Sequence, residues 1–261
     1  MIPKIIHYCW FGRGEKPAMA KKCIASWKKI LPDYEIKEWN EDNFDLDLYP
    51  YAREAYDNRK FAFVTDVVRL YALYTEGGIY MDTDVEVLKS YNPFLNHVGF
   101  SGFESYDRVP TGTMACEKGG KYAKDNLEYY EGKHFVREDG SLDLTTNVTT
   151  ITNYFKGLGI VLNNTLQDFP GIFTMYPNEY FCPKDYETKK LTITPNTVCI
   201  HHFDGSWLSK EESAAIQWSQ EHAQWVSYKY RMYIATLVAN YKLNGAKFTV
   251  KDIIRRLKRH L

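Results

Sequence analysis

The sequence predicts an α/β protein with a mixed, mostly parallel sheet flanked by helices. Three observations predict it. Strand-like and helix-like apolar segments alternate through the first forty residues, as in half of a doubly wound unit. Residues 61–87 read FAFVTDVVRLYALYTEGGIYMDTDVEV: a helix, a glycine stop, a short apolar strand and two acids at its end. The length of 261 residues suits one α/β domain, or one domain with a small appendage.

Residues 2–10 (IPKIIHYCW) read as a buried opening strand, and Phe11-Gly12-Arg13-Gly14 follows as a loop. Trp10-Phe11-Gly12 at a strand end is as well suited to plug a core as to line a site. Residues 17–30 read as a helix with Met19, Cys23, Trp27 and Ile30 on one face. Residues 35–39 make a second strand with Ile36 inward. Residues 40–58 are acidic and polar, which predicts a surface loop and a short helix.

In residues 61–76, Phe63, Val67, Leu70, Tyr71 and Tyr74 recur at helical spacing. Asp66 and Arg69 interrupt that pattern three residues apart, so they share a face and can pair. Gly77 and Gly78 supply the left-handed backbone that closes a helix. Ile79-Tyr80-Met81 then reads as a buried strand, with Tyr80 free to face either a ligand or the core. Asp82 and Asp84 follow where ligands bind in open α/β sheets, beyond the carboxyl ends of the strands. Read as continuing strand, the two carboxylates point the same way. They repel unless something positive lies between them, and a hard divalent cation that also holds phosphates answers that need.

Residues 93–103 suggest a turn and another strand, and residues 104–120 a loop-rich stretch whose Thr111-Gly112-Thr113 could line a ligand pocket. Residues 121–130 read as a helix, residues 131–143 as a mobile loop, and residues 145–155 as a Thr-rich helix start in which Asn147 can serve as cap or turn residue. Residues 176–183 are irregular and aromatic. Residues 197–201 form a last strand leading to His201-His202-Phe203-Asp204-Gly205-Ser206-Trp207. Two adjacent imidazoles at a strand end suit a manganese-type cation better than one lone histidine would. Residues 214–240 read as a long aromatic helix, and a final helix carries a Val250, Ile254, Leu257, Leu261 stripe with a basic remainder. Such a helix either lies on an anionic membrane or packs with its basic face in water.

Lys+Arg and Asp+Glu each number 33, so the net charge is zero and nothing points to nucleic acid as a partner. The five cysteines are scattered, without a C-x-x-C pair, which predicts reduced thiols rather than a disulfide framework or zinc site. No basic leader or membrane-length apolar run is present, which predicts a cytoplasmic chain, with contact at the inner membrane face if the last helix binds lipid.

Ile2-Pro3-Lys4-Ile5-Ile6-His7, Trp10-Phe11-Gly12, Asp66-x-x-Arg69, Gly77-Gly78-Ile79-Tyr80-x-Asp82-x-Asp84 and His202-x-x-x-Ser206-Trp207 occur in this order. On these motifs, spanning residues 1–207, the chain resembles the DxD-containing sugar transferases of glycosyltransferase family 32. These include bacterial capsule and polysaccharide transferases, fungal initiating mannosyltransferases and, more distantly, the large clostridial glucosylating toxins. The resemblance implies a GT-A-like nucleotide-sugar-binding domain over residues 1–208, with residues 209–261 as a helical extension packed on it. It implies a metal-dependent, retaining hexosyltransferase. The donor would be a nucleotide-diphosphate sugar, and the acceptor a glycan, lipid-linked if the last helix meets a membrane, in capsule or surface polysaccharide synthesis.

By the same resemblance, Asp84, Asp82 and His202 would hold Mn2+ or Mg2+. His201 is the fallback, because strand alternation sends the two imidazoles to opposite faces. Trp10 would stack on the base, Asp66 bind donor-sugar hydroxyls and Arg69 support it. Tyr80 and Asn147 would touch the donor, and Ser206 and Trp207 the diphosphate. Two other functions fit paired acids: a metal-dependent phosphohydrolase or nucleotidyltransferase, and a noncatalytic sugar-binding module. The first lacks a larger acid cluster and a phosphate-cradling glycine loop.

Overall fold

The computed structural model describes residues 1–109 and 112–205, together with Trp218, Val238 and Tyr241. Met1–Tyr186 with Lys190–Asp204 form one compact unit. In chain order its elements are β1 (Ile5–Cys9), α1 (Ala18–Ile30), β2 (Glu35–Trp39), α2 (Pro50–Asp57), α3 (Phe61–Glu76), β3 (Gly78–Met81), β4 (Val85–Val87), β5 (Gly99–Gly102), β6 (Thr113–Cys116), α4 (Lys121–Glu128), α5 (Asn147–Gly157), β7 (Gln167–Phe169), β8 (Phe173–Tyr176), α6 (Asn178–Phe181) and β9 (Cys199–His201). The main sheet runs β2-β1-β3-β6-β5-β8-β7, and β4 pairs with β9 in a second, two-stranded sheet. β2, β1, β3, β5 and β8 share one direction, while β6 and β7 oppose it. This is the mixed, mostly parallel sheet flanked by helices that the sequence predicts.

Alternation along β3 divides two cores. Tyr80 belongs to the core built with α3, α4 and α5, and Ile79 and Met81 to the core built with α1, Tyr91 and Phe181. α3 is buried on more of its circumference than its apolar stripe predicts, because Asp66 and Arg69 are buried too. Gly77 has φ +71°, and a Cβ on it would meet the Lys118 amide at 2.5 Å. Gly78 has φ +114°, and a Cβ there would meet the Ile5 carbonyl at 2.6 Å, so the glycine pair lets β3 lie against β1. His7, fully buried, ties the same place together. Its Nε2 donates to the Gly77 carbonyl at 2.7 Å, and its Nδ1 accepts from the Trp39 indole at 3.0 Å. Burial holds this imidazole below its ordinary pKa, so it stays neutral.

β7 and β8 complete the sheet at residues 167–176, where the sequence predicts no element. Three expectations change. The loop-rich stretch 104–120 also holds β6, which sits between β3 and β5. Residues 40–58 are less superficial than their polarity predicts: Tyr51, Ala52 and Ala55 of α2 are buried. The 131–143 loop is pinned, because Glu54 accepts the Phe135 and Val136 amides at 2.8 and 2.9 Å. The five cysteines are free and buried. No helix among the described residues is long and apolar enough to cross a membrane.

Candidate active site

Asp82 leaves the sheet at the carboxyl end of β3. Asp82 to Asp84 form a turn rather than continuing strand, closed by the Val85 amide donating to the Asp82 carbonyl at 3.0 Å. The two carboxylates converge because the chain folds back into β4, not through strand alternation.

On one side of Asp82 stands α3. Arg69 Nη2 lies 3.3 Å from Asp66 Oδ1 and 3.4 Å from Asp82 Oδ1, bridging the two acids. Its guanidinium lies 4.5 Å from the Tyr80 ring centroid, and the Tyr80 hydroxyl donates to Asp82 Oδ1 at 2.8 Å. Its Nε and Nη2 also donate to the Thr65 carbonyl and hydroxyl, each at 3.0 Å. Asp66 Oδ2 accepts the Asn147 backbone amide at 3.2 Å from the start of α5. Asp66 and Arg69 are 7% and 5% exposed, so the pair is a core feature with one edge open. Burial pushes the Asp66 carboxyl up to about 7, against the pull of Arg69. Asn147 meets Asp66 through its backbone. Its side-chain Nδ2 donates to the Tyr130 hydroxyl at 3.3 Å, and its buried Oδ1 has no hydrogen-bond partner.

On the other side stands β9. Its antiparallel register sets His201 opposite Val85, and His201 Nε2 lies 3.4 Å from Asp84 Oδ1. Asp84 also accepts the Asp204 amide on Oδ2 at 2.8 Å and the His202 amide on its carbonyl at 3.0 Å. Burial works to raise the Asp84 carboxyl, but His201 and the Asp204 amide outweigh it and hold it at about 2. Burial works to lower His201, but Asp84 outweighs it and keeps the imidazole charged well above its ordinary range. Gly112 makes room for this ring: a Cβ there would lie 2.8 Å from His201 Nδ1, a buried atom without a hydrogen-bond partner. The Gly112 carbonyl also accepts the Asp82 amide at 2.8 Å.

One ligand atom each from Asp82, Asp84 and His201 lie within 4.8 Å of one another. Two carboxylates and one imidazole fit a Mn2+- or Mg2+-like ion, and a cation there would replace the proton that His201 now carries. The histidine brought to the acids is therefore His201, not His202. His202 turns to Glu86, 2.8 Å away, an acid that Lys22 also holds at 2.8 Å. Strand alternation separates the two rings, and the β4–β9 register selects the inner one.

Trp10 leaves β1 on the same sheet edge. It is half-buried, donates from Nε1 to the Gly14 carbonyl at 2.6 Å and has Lys16 Nζ 5.7 Å from its ring centroid. Ser206, Trp207, Thr111 and the expected basic C-terminal helix lie outside the described residues. Gly112, expected with its neighbours to line a pocket, does so by making room for the His201 ring. Glu104 escapes the sequence reading; its faint signal is an acid just past a strand's carboxyl end.

Residues 17–100 match the family described as "Glycosyltransferase sugar-binding region containing DXD motif". The chain is similar to inositol phosphoceramide mannosyltransferase 3 of Schizosaccharomyces pombe, 32% identical over 125 residues, which are 45% of this chain and 34% of that protein. The chain thus spans about a third of that relative's length. It is similar to uncharacterized glycosyltransferase L373 of Acanthamoeba polyphaga mimivirus, 28% identical over 221 residues, which are 79% of this chain and 84% of that protein. Among solved structures, the PaToxG glycosyltransferase is 21% identical with a TM-score of 0.45, covering 60% of this chain and 70% of that one. The matched residues 17–100 hold Asp66, Arg69, Asp82 and Asp84, so the acids and the arginine of the site all fall within the stretch that resembles that sugar-binding region.

Proposed function

We propose that the chain is a metal-dependent glycosyltransferase that takes a nucleotide-diphosphate sugar as donor and a glycan as acceptor. One observation carries this reading. A buried Asp66–Arg69 pair and an Asp82, Asp84, His201 set meet on one sheet edge, joined through Asp82. Asp82, Asp84 and His201 would hold Mn2+ or Mg2+, which when bound draws charge from a leaving diphosphate and fixes its position. Ionised Asp66 accepts hydrogen bonds from sugar hydroxyls and so orients the donor. Arg69 keeps that carboxylate aimed and sets a fixed positive charge beside Asp82, where it needs no reorganisation as negative charge develops. Trp10 offers an aromatic face for the base at the same edge. Retention of anomeric configuration goes with the family, and none of these residues is placed as a covalent nucleophile.

The test is incubation with a panel of UDP- and GDP-sugars plus Mn2+. Nucleoside diphosphate is released by the wild type and not by Asp84→Asn. GDP-mannose and a lipid-linked inositol acceptor lead the panel, because the fission-yeast relative is named for mannosyl transfer to inositol phosphoceramide. Phosphate release from p-nitrophenyl phosphate in place of sugar transfer would mark a phosphohydrolase. Glycan binding without any nucleotide-sugar turnover would mark a sugar-binding module.

A further inference from the structure

Beyond Gly102 at the end of β5, the chain makes a short hairpin over residues 104–108 and then returns to Gly112 against the His201 ring. The hairpin is fastened at both ends. The Phe103 amide donates to the Tyr176 carbonyl at 2.9 Å, and the Glu104 amide to the Arg108 carbonyl at 3.0 Å. Ser105 Oγ donates to Asp107 at 2.6 Å, and the Val109 amide donates to Thr152 of α5 at 3.2 Å. At the tip stands Tyr106, 71% exposed; no Phe, Tyr or Trp among the described residues is more exposed.

At the base stands Glu104, half-buried. Its carboxylate has no hydrogen-bond partner among the described residues. Its electrostatic neighbours are His201, Arg108 and Asp82, and burial holds its carboxyl above the ordinary range. A carboxylate withdrawn from water without a partner costs free energy until hydrogen-bond donors reach it. An aromatic ring held out in water by an anchored turn gains when an apolar face covers it. A pyranose brings both, hydroxyl donors on its rim and C–H groups on its face.

We propose that residues 104–108 form the acceptor side of the site, with the Tyr106 ring as stacking face for a pyranose and the Glu104 carboxylate as acceptor for its hydroxyls. This assignment rests on the glycosyltransferase reading above. It takes the acceptor contacts from a segment separate from α3: Glu104 follows β5, which lies beyond β6 from β3, whereas Asp66 and Arg69 come from α3.

Saturation-transfer NMR tests it, using methyl α-D-mannopyranoside and methyl β-D-galactopyranoside with protein loaded with Mn2+ and GDP or UDP. The wild type transfers saturation to the ring protons of at least one glycoside. Tyr106→Ala and Glu104→Gln reduce that signal by about fivefold, the scale of one lost stacking contact. Tyr106→Phe keeps it. Tyr106→Ala removes an exposed side chain, so its thermal unfolding follows the wild type and loss of signal is not loss of fold. Equal signals in wild type and both variants, or no signal from either glycoside, overturn the assignment. The donor reading fails on a different measurement: neither nucleotide with Mn2+ raises the wild-type melting temperature, and no nucleotide sugar is turned over.

Discussion

Asp66 and Asp84 flank Asp82, and the fold holds them in opposite ways. Asp66 sits on a helix with its partner Arg69 three residues on, inside a core that α3 packs for its own stability. Its position follows from one helix and one glycine stop. Asp84 sits in a turn, and its partner His201 arrives from β9 through a three-residue ladder. The first half is local and largely dry. The second is a long-range assembly that β9, Gly112 and the Asp204 amide hold in place. Buried charge behaves differently in the two. Burial wins at Asp66, which stays protonated up to about pH 7, whereas the partner wins at Asp84, ionised above about pH 2.

The sharpest way to break the comparison is Arg69→Ala. It leaves buried Asp66 facing half-buried Asp82 without their cation, and removing one partner of a buried pair costs about 3–5 kcal/mol. Chemical denaturation should show that loss, in full on the helix-built half. Asp84→Asn acts on the other half, where it removes the partner of His201 and so lowers stability as well as turnover. It should lower nucleotide-sugar turnover by about 100-fold or more, equal to about 2.7 kcal/mol of barrier, as steady-state release of nucleoside diphosphate would show. A histidine pair separates position from residue type. His201→Ala should weaken Mn2+ binding by about 10- to 100-fold in calorimetry, the range found even for groups that only support metal ligands. His202→Ala, which loses a hydrogen bond with Glu86 outside the cluster, should stay within about fivefold.

The smallest effect is a pH slope. The folded Asp66 pKa is raised above the ordinary carboxylate value near 3.9, so its contribution to stability is present below about pH 4 and lost as pH rises through about 7. Denaturant titrations at pH 5 and 8 should show wild-type stability falling relative to Asp66→Asn, at no more than about 1.4 kcal/mol per pH unit. Donor-sugar binding should move the other way and strengthen as Asp66 ionises. A flat difference between the two proteins would remove Asp66 from the dry half.

This contrast also explains what could be read from the sequence. α3 is legible over its whole length because periodicity, a polar pair and Gly77-Gly78 all lie within eighteen consecutive residues, 61–78. β1, α1 and β2 are legible for the same local reason. The choice of His201 over His202 is not, because alternation says that the two rings diverge but only the register against Val85 says which one faces Asp84. β6 is hidden because four residues, Thr113–Cys116, are too few for a period, and their strand character comes from pairing with β3 and β5. The Asn147 side chain reads as a donor contact, while the structure uses the backbone amide at that position, which any residue but proline would supply. Glu104 escapes notice because one acid in a loop has no pattern; the sheet edge beneath it gives it meaning.

The β4–β9 ladder has a consequence for how the protein matures. Asp204, which caps Asp84, lies 120 residues after it in the chain. A nascent chain emerging amino end first can pack α3 against β1 and β3 and set Arg69 between its acids long before β9 exists. Loop closure over such a span is among the slower events in folding. Cation binding by Asp82, Asp84 and His201 would thus act as a late latch, and protein refolded with Mn2+ should gain resistance to proteolysis at the β4–β9 pairing last.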